Sequence, residues 1–290
     1  MRTFSIIAIT LILFTMGTTI QAQDNQCSAQ DELFLEFDKI LPEDLETQRP
    51  VQGFAIHKNY GFSLRDKGMC VVIDLKRKEY INSFQLEGNV SHCNNAGFGS
   101  EKFTKNSEFP LLYVSECRGD KCCYVTDITL TGSRIVQKIF YDSDEFKIAM
   151  DWVVDAENGF IYVYGGKHYG TKYLKKLPLP KLSDSDENGE VHFTSEDVLQ
   201  EIAIEGVAIA QGSKIHKGKA YLPDGCSPQG NKLHVVDLQS GRKLAEIPYS
   251  DQVNEPEGLD FKGKTLYTIF HPVKEQARHA KIYATKKLKF

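Results

Sequence analysis

Oxygen-bearing side chains stand directly ahead of a glycine at several places in this chain, and three of these share one frame. They are Gln52-Gly53, Gln211-Gly212 and Glu257-Gly258, the last with Glu255 two residues earlier. Amide and carboxylate oxygens are hard ligands, suited to Ca²⁺ or Mg²⁺, or to a polyhydroxylated or amine-bearing molecule. His92 beside Cys93 adds the side-chain types of a base and a nucleophile. Established catalytic patterns are missing: there is no G-x-S-x-G, H-E-x-x-H, phosphate loop or dinucleotide fingerprint. The acidic run Asp184 to Glu190 has the flavour of a calcium loop but lacks the closing glutamate, so it is expected to be an acidic surface loop.

The elements that position these residues form a repeat. QGFAIHKNYGF from Gln52 matches QGSKIHKGKAY from Gln211, an offset of 211 − 52 = 159 residues. Each is followed by a strand ending in Asp-Leu, at Asp74-Leu75 and Asp237-Leu238. Glu257-Gly258 enters the same frame 257 − 211 = 46 residues later, with the turn Lys262-Gly263-Lys264 matching Lys217-Gly218-Lys219. Two degenerate copies begin near His92 to Gly97 and at Asp151 to Asp155. Short runs of Val, Ile, Tyr and Phe separated by turn residues predict an all-β chain, with helix expected only near Ser195 to Gln200. A turn followed by about four strands every 40–50 residues is the signature of a β-propeller blade. A generic β-sandwich is the competing architecture.

Entry turns at 52, 94, 151, 211 and 257 predict five blades. The last blade is short of a strand, which Leu33 to Lys39 would supply, closing the ring and leaving no open edge. Six blades are the alternative, because Glu205 to Ile209 also reads as an entry turn. The polar stretch Pro178 to Phe193 is expected to be a surface loop. In a propeller, entry turns gather at one mouth of the central channel. That rule brings together Gln52, His92, Asn94, Asn95, Asp151, Trp152, Gln211, Glu255 and Glu257 as candidate ligand-binding residues. Trp152, the only tryptophan, either stacks on a ligand or packs between blades, and packing is favoured. His57 and His216 occupy matching positions and read as framework residues.

The ends and the cysteines set the compartment. Arg2 followed by the apolar run Ser5 to Thr19 predicts a signal peptide over residues 1–22, cleaved after Ala22. The expected organisation is then a tail over 23–32 and one propeller domain over 33–290, exported to the periplasm or beyond and free of the membrane. Seven cysteines suit an oxidising compartment. The most local bridge would join Cys117 to Cys122 or Cys123, with Cys70, Cys93 and Cys226 available for a longer one and Cys27 left over. For Cys93 a disulfide is favoured over a nucleophile. Arg118-Gly119-Asp120 reads as turn chemistry and not as an adhesion motif. A net charge of −4 argues against nucleic acid as a partner. A monomer binding a small polar molecule or a protein is expected.

The layout resembles exported propellers of the TolB-like and gluconolactonase-like group, among them exported propellers of gut Bacteroidetes. Gln52-Gly53-Phe54 is also similar to the Thr-Gln-Gly-Leu opening of plant-type glutaminyl cyclotransferases. The first resemblance implies a divalent metal, Ca²⁺ or Mg²⁺, held by Glu257, Asn95 and Asp151, with His92 as base in a lactonase or esterase. The second implies Glu257 as proton shuttle and Trp152 as a wall of the substrate pocket.

Overall fold

The computed structural model describes residues 28–45, 49–88, 90–143, 150–167, 169–225 and 229–290. The signal segment, Cys27 and Cys226 lie outside the described residues. Strand β1 (Ser28–Glu36) precedes blade 1, built of β2 (Val51–His57), β3 (Tyr60–Arg65), β4 (Met69–Asp74) and β5 (Glu79–Gln85). Blade 2 follows with β6 (Cys93–Phe98), β7 (Leu112–Glu116), β8 (Cys123–Ile128) and β9 (Ser133–Tyr141). Blade 3 holds β10 (Met150–Asp155), β11 (Phe160–Gly166) and β12 (Lys172–Pro178), then, after β13 (Glu190–Phe193), its outer strand β14 (Gln200–Ile204). Blade 4 is β15 (Lys214–His216), β16 (Lys219–Asp224), β17 (Lys232–Asp237) and β18 (Lys243–Pro248). Blade 5 takes β19 (Glu255–Lys262), β20 (Thr265–His271) and β21 (Lys281–Lys289) from the chain's end, and β1 from its beginning. This is a five-bladed β-propeller.

Closure runs through the antiparallel pairing of β1 with β21, which sets Leu33 opposite Tyr283 and Leu35 opposite Ile282. The closing strand ends at Glu36, and Phe37–Lys39 is a 3₁₀ turn that buries Phe37. Five separate apolar cores lie one between each pair of adjacent blades. Each sheet is thus covered on both faces, which is why strands such as Met69 to Asp74 read as continuous apolar runs and not as alternation.

Three sequence expectations are corrected. The insertion Pro178 to Phe193 is not wholly loop: β13 pairs in parallel with β9 and gives blade 2 a fifth strand. Ser195 to Gln200 forms only a 3₁₀ turn over Ser195–Asp197, capped by Thr194. Glu205 to Ile209 starts no sixth blade. It is the crossing between blades 3 and 4, fixed by Asp224 Oδ1 accepting from the backbone N–H groups of Ala208 and Ile209 at 3.0 and 3.2 Å.

The Gln-Gly motifs do more than turn the chain. A Cβ on Gly212 would lie 2.5 Å from the Glu257 carbonyl oxygen, and one on Gly258 would lie 2.6 Å from the Phe54 nitrogen. Inner strands of blades 4, 5 and 1 therefore touch backbone to backbone, and only glycine allows that approach. These contacts help floor the channel beneath its entry mouth.

Candidate functional site

Above that floor opens a pit of about 610 Å³. Six of the nine candidates line it: Gln52, His92, Asn94, Gln211, Glu255 and Glu257. They come from four blades, through the start of β2, the start of β6, the crossing into β15 and the start of β19. Asp66, Cys117, Arg118, Lys121 and His271 complete the polar wall. All five belong to connections between the second and third strands of their blades, or to the strand end leading into one. A four-stranded antiparallel blade places that connection at the same end as the entry turn. Counting entry turns alone therefore misses half the mouth.

Glu257 stands at the centre of the chemistry. It is 3% exposed, lines the pit, and accepts no side-chain hydrogen bond among the described residues. Burial pushes its carboxyl well above the usual range, and the negative neighbours Glu255, Asp66 and Asp151 push in the same direction. Burial and these neighbours thus favour the proton-bearing form of Glu257. Gln52, 4% exposed, also lines the pit, and its Oε1 has no partner. Glu255 differs: its Oε1 accepts from Gln211 Nε2 at 2.7 Å.

The remaining groups hold one another. His92 Nδ1 lies 2.5 Å from Asp66 Oδ1. Asn94 Nδ2 donates to both carboxylate oxygens of Asp151 at 2.8 and 2.9 Å and also to the Ala210 carbonyl at 3.3 Å. Burial raises Asp151 to about 7, against the opposing pull of the Asn94 bond. His271 is pushed down by burial and then by Arg65, and its Nδ1 is unpartnered.

Glu116, which sequence reasoning passed over, positions two of these residues. Its buried carboxylate accepts from Ser91 N at 2.5 Å, His92 N at 3.0 Å, Arg118 N at 2.9 Å and Gly119 N at 2.7 Å. One side chain thereby ties the entry turn of blade 2 to the loop carrying Arg118. Asp224 does the same for the crossing that carries Ile209. Both acids end the second strand of their blade, a recurrence that was readable in the sequence.

Three candidates lie outside the pit. Asn95 turns down the axis, donating to the carbonyls of Trp152 and Ser213 at 3.0 and 3.1 Å. Trp152, 1% exposed, packs in the core between blades 2 and 3, its backbone N–H held by Ser115 Oγ. Asp151 lies beneath the pit with both oxygens engaged. Asn95 Oδ1 is buried without a partner, but Asn95 and Asp151 lie off the pit that Glu257 lines and both Asp151 oxygens are engaged by Asn94, so the three do not converge as a Ca²⁺ or Mg²⁺ ligand set. Among the described residues no group of three His, Cys, Asp or Glu is placed to hold a metal.

The cysteines depart from expectation as well. All five described cysteines are free. Cys122 faces the core between blades 1 and 2 and its neighbour Cys123 the core between blades 2 and 3, while Cys117 lines the pit. Cys93 is no nucleophile: burial raises its thiol far above the ordinary value, and Sγ donates to the Arg65 carbonyl at 2.8 Å. In the loop that carries Arg118, Asp120 accepts from the Tyr124 hydroxyl at 2.8 Å.

No protein-family model and no curated protein matches this chain. Solved structures do. The tail fibre of Staphylococcus aureus phage P68 aligns with a TM-score of 0.57 and 14% identity, covering 89% of this chain and 52% of the other. This chain thus spans about half of the tail-fibre chain. Myxococcus xanthus glutaminyl cyclase aligns with a TM-score of 0.53 and 11% identity, covering 89% of this chain and 98% of that one. At such identities the likeness shows the propeller fold alone. Nothing in these comparisons supports the TolB-like or gluconolactonase-like group specifically.

Proposed function

We propose that the entry-mouth pit binds a small polar molecule and that Glu257 exchanges a proton with it. The observation that carries this reading is the carboxyl of Glu257, buried at the pit and met by no protein donor among the described residues. A buried polar group without a partner costs stability, typically 1–3 kcal/mol, and a ligand that completes it recovers that cost. The raised pKa favours the proton-bearing carboxyl, the form that can donate. Binding to the folded state alone raises the melting temperature in proportion to the logarithm of ligand concentration. A panel of small polar molecules should therefore yield saturable stabilisers whose effect is lost in Gln52→Leu and kept in His216→Ala at the opposite mouth. Stabilisers that keep their full effect in both Gln52→Leu and Glu257→Gln would remove the pit from the account.

A cyclase of the glutaminyl type is the second reading. It is favoured by the fold likeness across nearly the whole length of the Myxococcus xanthus enzyme and by a proton-bearing carboxyl at the mouth. Trp152 takes no part in it, being sealed in a core. Release of ammonia from a glutaminyl peptide, abolished by Glu257→Gln, would establish this reading, and no release above the variant's background would dismiss it. Export through a leader over residues 1–22 belongs to the proposal, and N-terminal sequencing of the protein from its producing cell checks it.

A further inference from the structure

Asp66 and His92 meet across the seam between blades 1 and 2. Residues 65–67, at the end of β3 and in the connection after it, run against residues 91–93 of the blade 2 entry turn. Cys93 Sγ donates to the Arg65 carbonyl at 2.8 Å, and Lys67 N donates to the Ser91 carbonyl at 2.9 Å. Between these two bonds His92 Nδ1 lies 2.5 Å from Asp66 Oδ1. The flanking bonds already join the two segments, so the side-chain pair is not needed as a fastener. Further bonds fix both of its members: Asp66 N donates to the Pro50 carbonyl at 3.0 Å, and His92 N to Glu116 Oε2 at 3.0 Å. The other ring nitrogen is left open. His92 lines the pit, and its Nε2 is neither bonded nor buried among the described residues.

We propose, resting on the small-ligand reading of the pit, that Asp66 positions the ring of His92 and that His92 Nε2 takes a proton from an O–H or N–H group of the bound molecule. A carboxylate offers acceptors only, so the ring nitrogen facing it is the one that carries hydrogen. The lone pair is thereby left on Nε2, towards the pit. A base held in this way by a third group is the arrangement that acid–base catalysis requires. Glu257, on the blade 5 side of the same pit, has the complementary part and gives a proton as His92 takes one. In that exchange an X–H bond of the ligand breaks with its electrons staying on X, and the proton passes to Nε2. The Glu257 proton passes to a second atom of the same ligand, whose charge is unchanged overall. The imidazolium and carboxylate left behind return to their starting forms by moving one proton through water. The substrate class is a small molecule with a dissociable O–H or N–H and a separate basic atom.

The tautomer of His92 is measurable without any ligand, so the base and the small-ligand reading fail separately. On the full chain at neutral pH, ¹⁵N–¹H correlation of the histidine rings should show His92 with hydrogen on Nδ1 alone. Asp66→Asn should move that hydrogen to Nε2, because an amide can donate to Nδ1. Diethyl pyrocarbonate then tests access, read by mass spectrometry of the His92 peptide. The bare Nε2 forms a bond to a carbonyl carbon, the C–O bond to the ethyl carbonate leaving group breaks, and the Nδ1 hydrogen departs as a proton. His92 should be labelled in the parent and roughly fivefold or more slowly in Asp66→Asn, whose Nε2 has no lone pair to offer. A mere fastener between blades predicts no such dependence. Stabilisers that act through the pit should also slow the labelling. Hydrogen on Nε2 alone, or on both nitrogens, would overturn the assignment of the base. So would a His92 that stays unlabelled while other histidines of the same sample react. If tautomer and labelling are as expected but no small polar molecule stabilises the fold, the ligand reading fails and the oriented base stands.

Discussion

The two mouths of this channel are built from the same inner strands and end in opposite states. At the entry mouth Glu257 and Gln52 are buried without partners. At the far mouth a smaller cavity of about 350 Å³ is bounded by His216, Lys214, Asp260 and Phe261. There Asp260 accepts from Ile56 N at 2.8 Å and Phe261 N at 2.7 Å, and Lys214 Nζ lies 2.8 Å from its other side. His216 stacks on Phe261 with ring centroids 4.3 Å apart, and His57 lies against Phe98 at 5.3 Å. A completed network rigidifies a fold, whereas an incomplete one costs stability until something completes it. The far mouth is thus framework, and the entry mouth is where the fold leaves room for chemistry.

The largest test strikes the floor that separates the mouths. Gly258→Val should cost about 4 kcal/mol or more, because the added carbons meet the backbone of Gln52, Gly53 and Phe54 and not a movable side chain. Gly132→Ala, with nothing within 4 Å of the new carbon, should stay within about 0.5 kcal/mol of the parent in the same denaturant titration. A tolerated Gly258→Val would mean that the inner strands do not touch.

At the far mouth Asp260→Ala should cost about 3 kcal/mol, since it strands the Lys214 ammonium and frees a buried N–H. Chemical denaturation reads this directly, and an effect below about 1 kcal/mol would erase the contrast between the mouths. Glu116→Gln should fall between, at about 2 kcal/mol, by weakening four backbone donors that fix His92 and Arg118. It should also broaden the NMR signals of those two residues.

The smallest stability effect belongs to the pit. Glu257→Gln should be neutral to stabilising, within about 1 kcal/mol, because no protein bond is lost and a buried acid is removed. The sign with pH is fixed by the raised carboxyl. A group whose pKa is raised on folding contributes stability that is present at low pH and is lost as pH climbs from the ordinary carboxylate value through the raised one. Asp151, raised to about 7, adds a loss of the same sign across that window. Melting temperatures should show the variant gaining on the parent as pH rises above about 4.5, and no difference below it.

The ring was legible because its frame repeats. Gln52-Gly53 and Gln211-Gly212 open matching segments whose glycines meet neighbouring backbone too closely for a side chain, and the missing strand of blade 5 pointed to the N-terminus. The pit was legible only in part. Its entry-turn half follows from the repeat, whereas Asp66, Arg118 and Lys121 sit in connections and His271 at the end of β20, where no shared sequence marks them. Pleating explains the false members: successive side chains leave a strand on opposite sides, so Asn94 reaches the pit while Asn95 turns down the axis. The same alternation sends Cys122 and Cys123 into different cores. β13 escaped notice because Glu190 to Phe193 is short and half polar, and its partner strand β9 lies 190 − 138 = 52 positions earlier in register, where Glu190 faces Lys138.

The carboxyl of Glu257 carries the functional reading, and its protonation is measurable directly. In a ¹³C-labelled sample, the side-chain carboxyl resonance of Glu257 should titrate well above the ordinary glutamate value of about 4.5. A normal titration at Glu257 would contradict the account, because it would mean that the pit holds an ordinary, hydrated carboxylate.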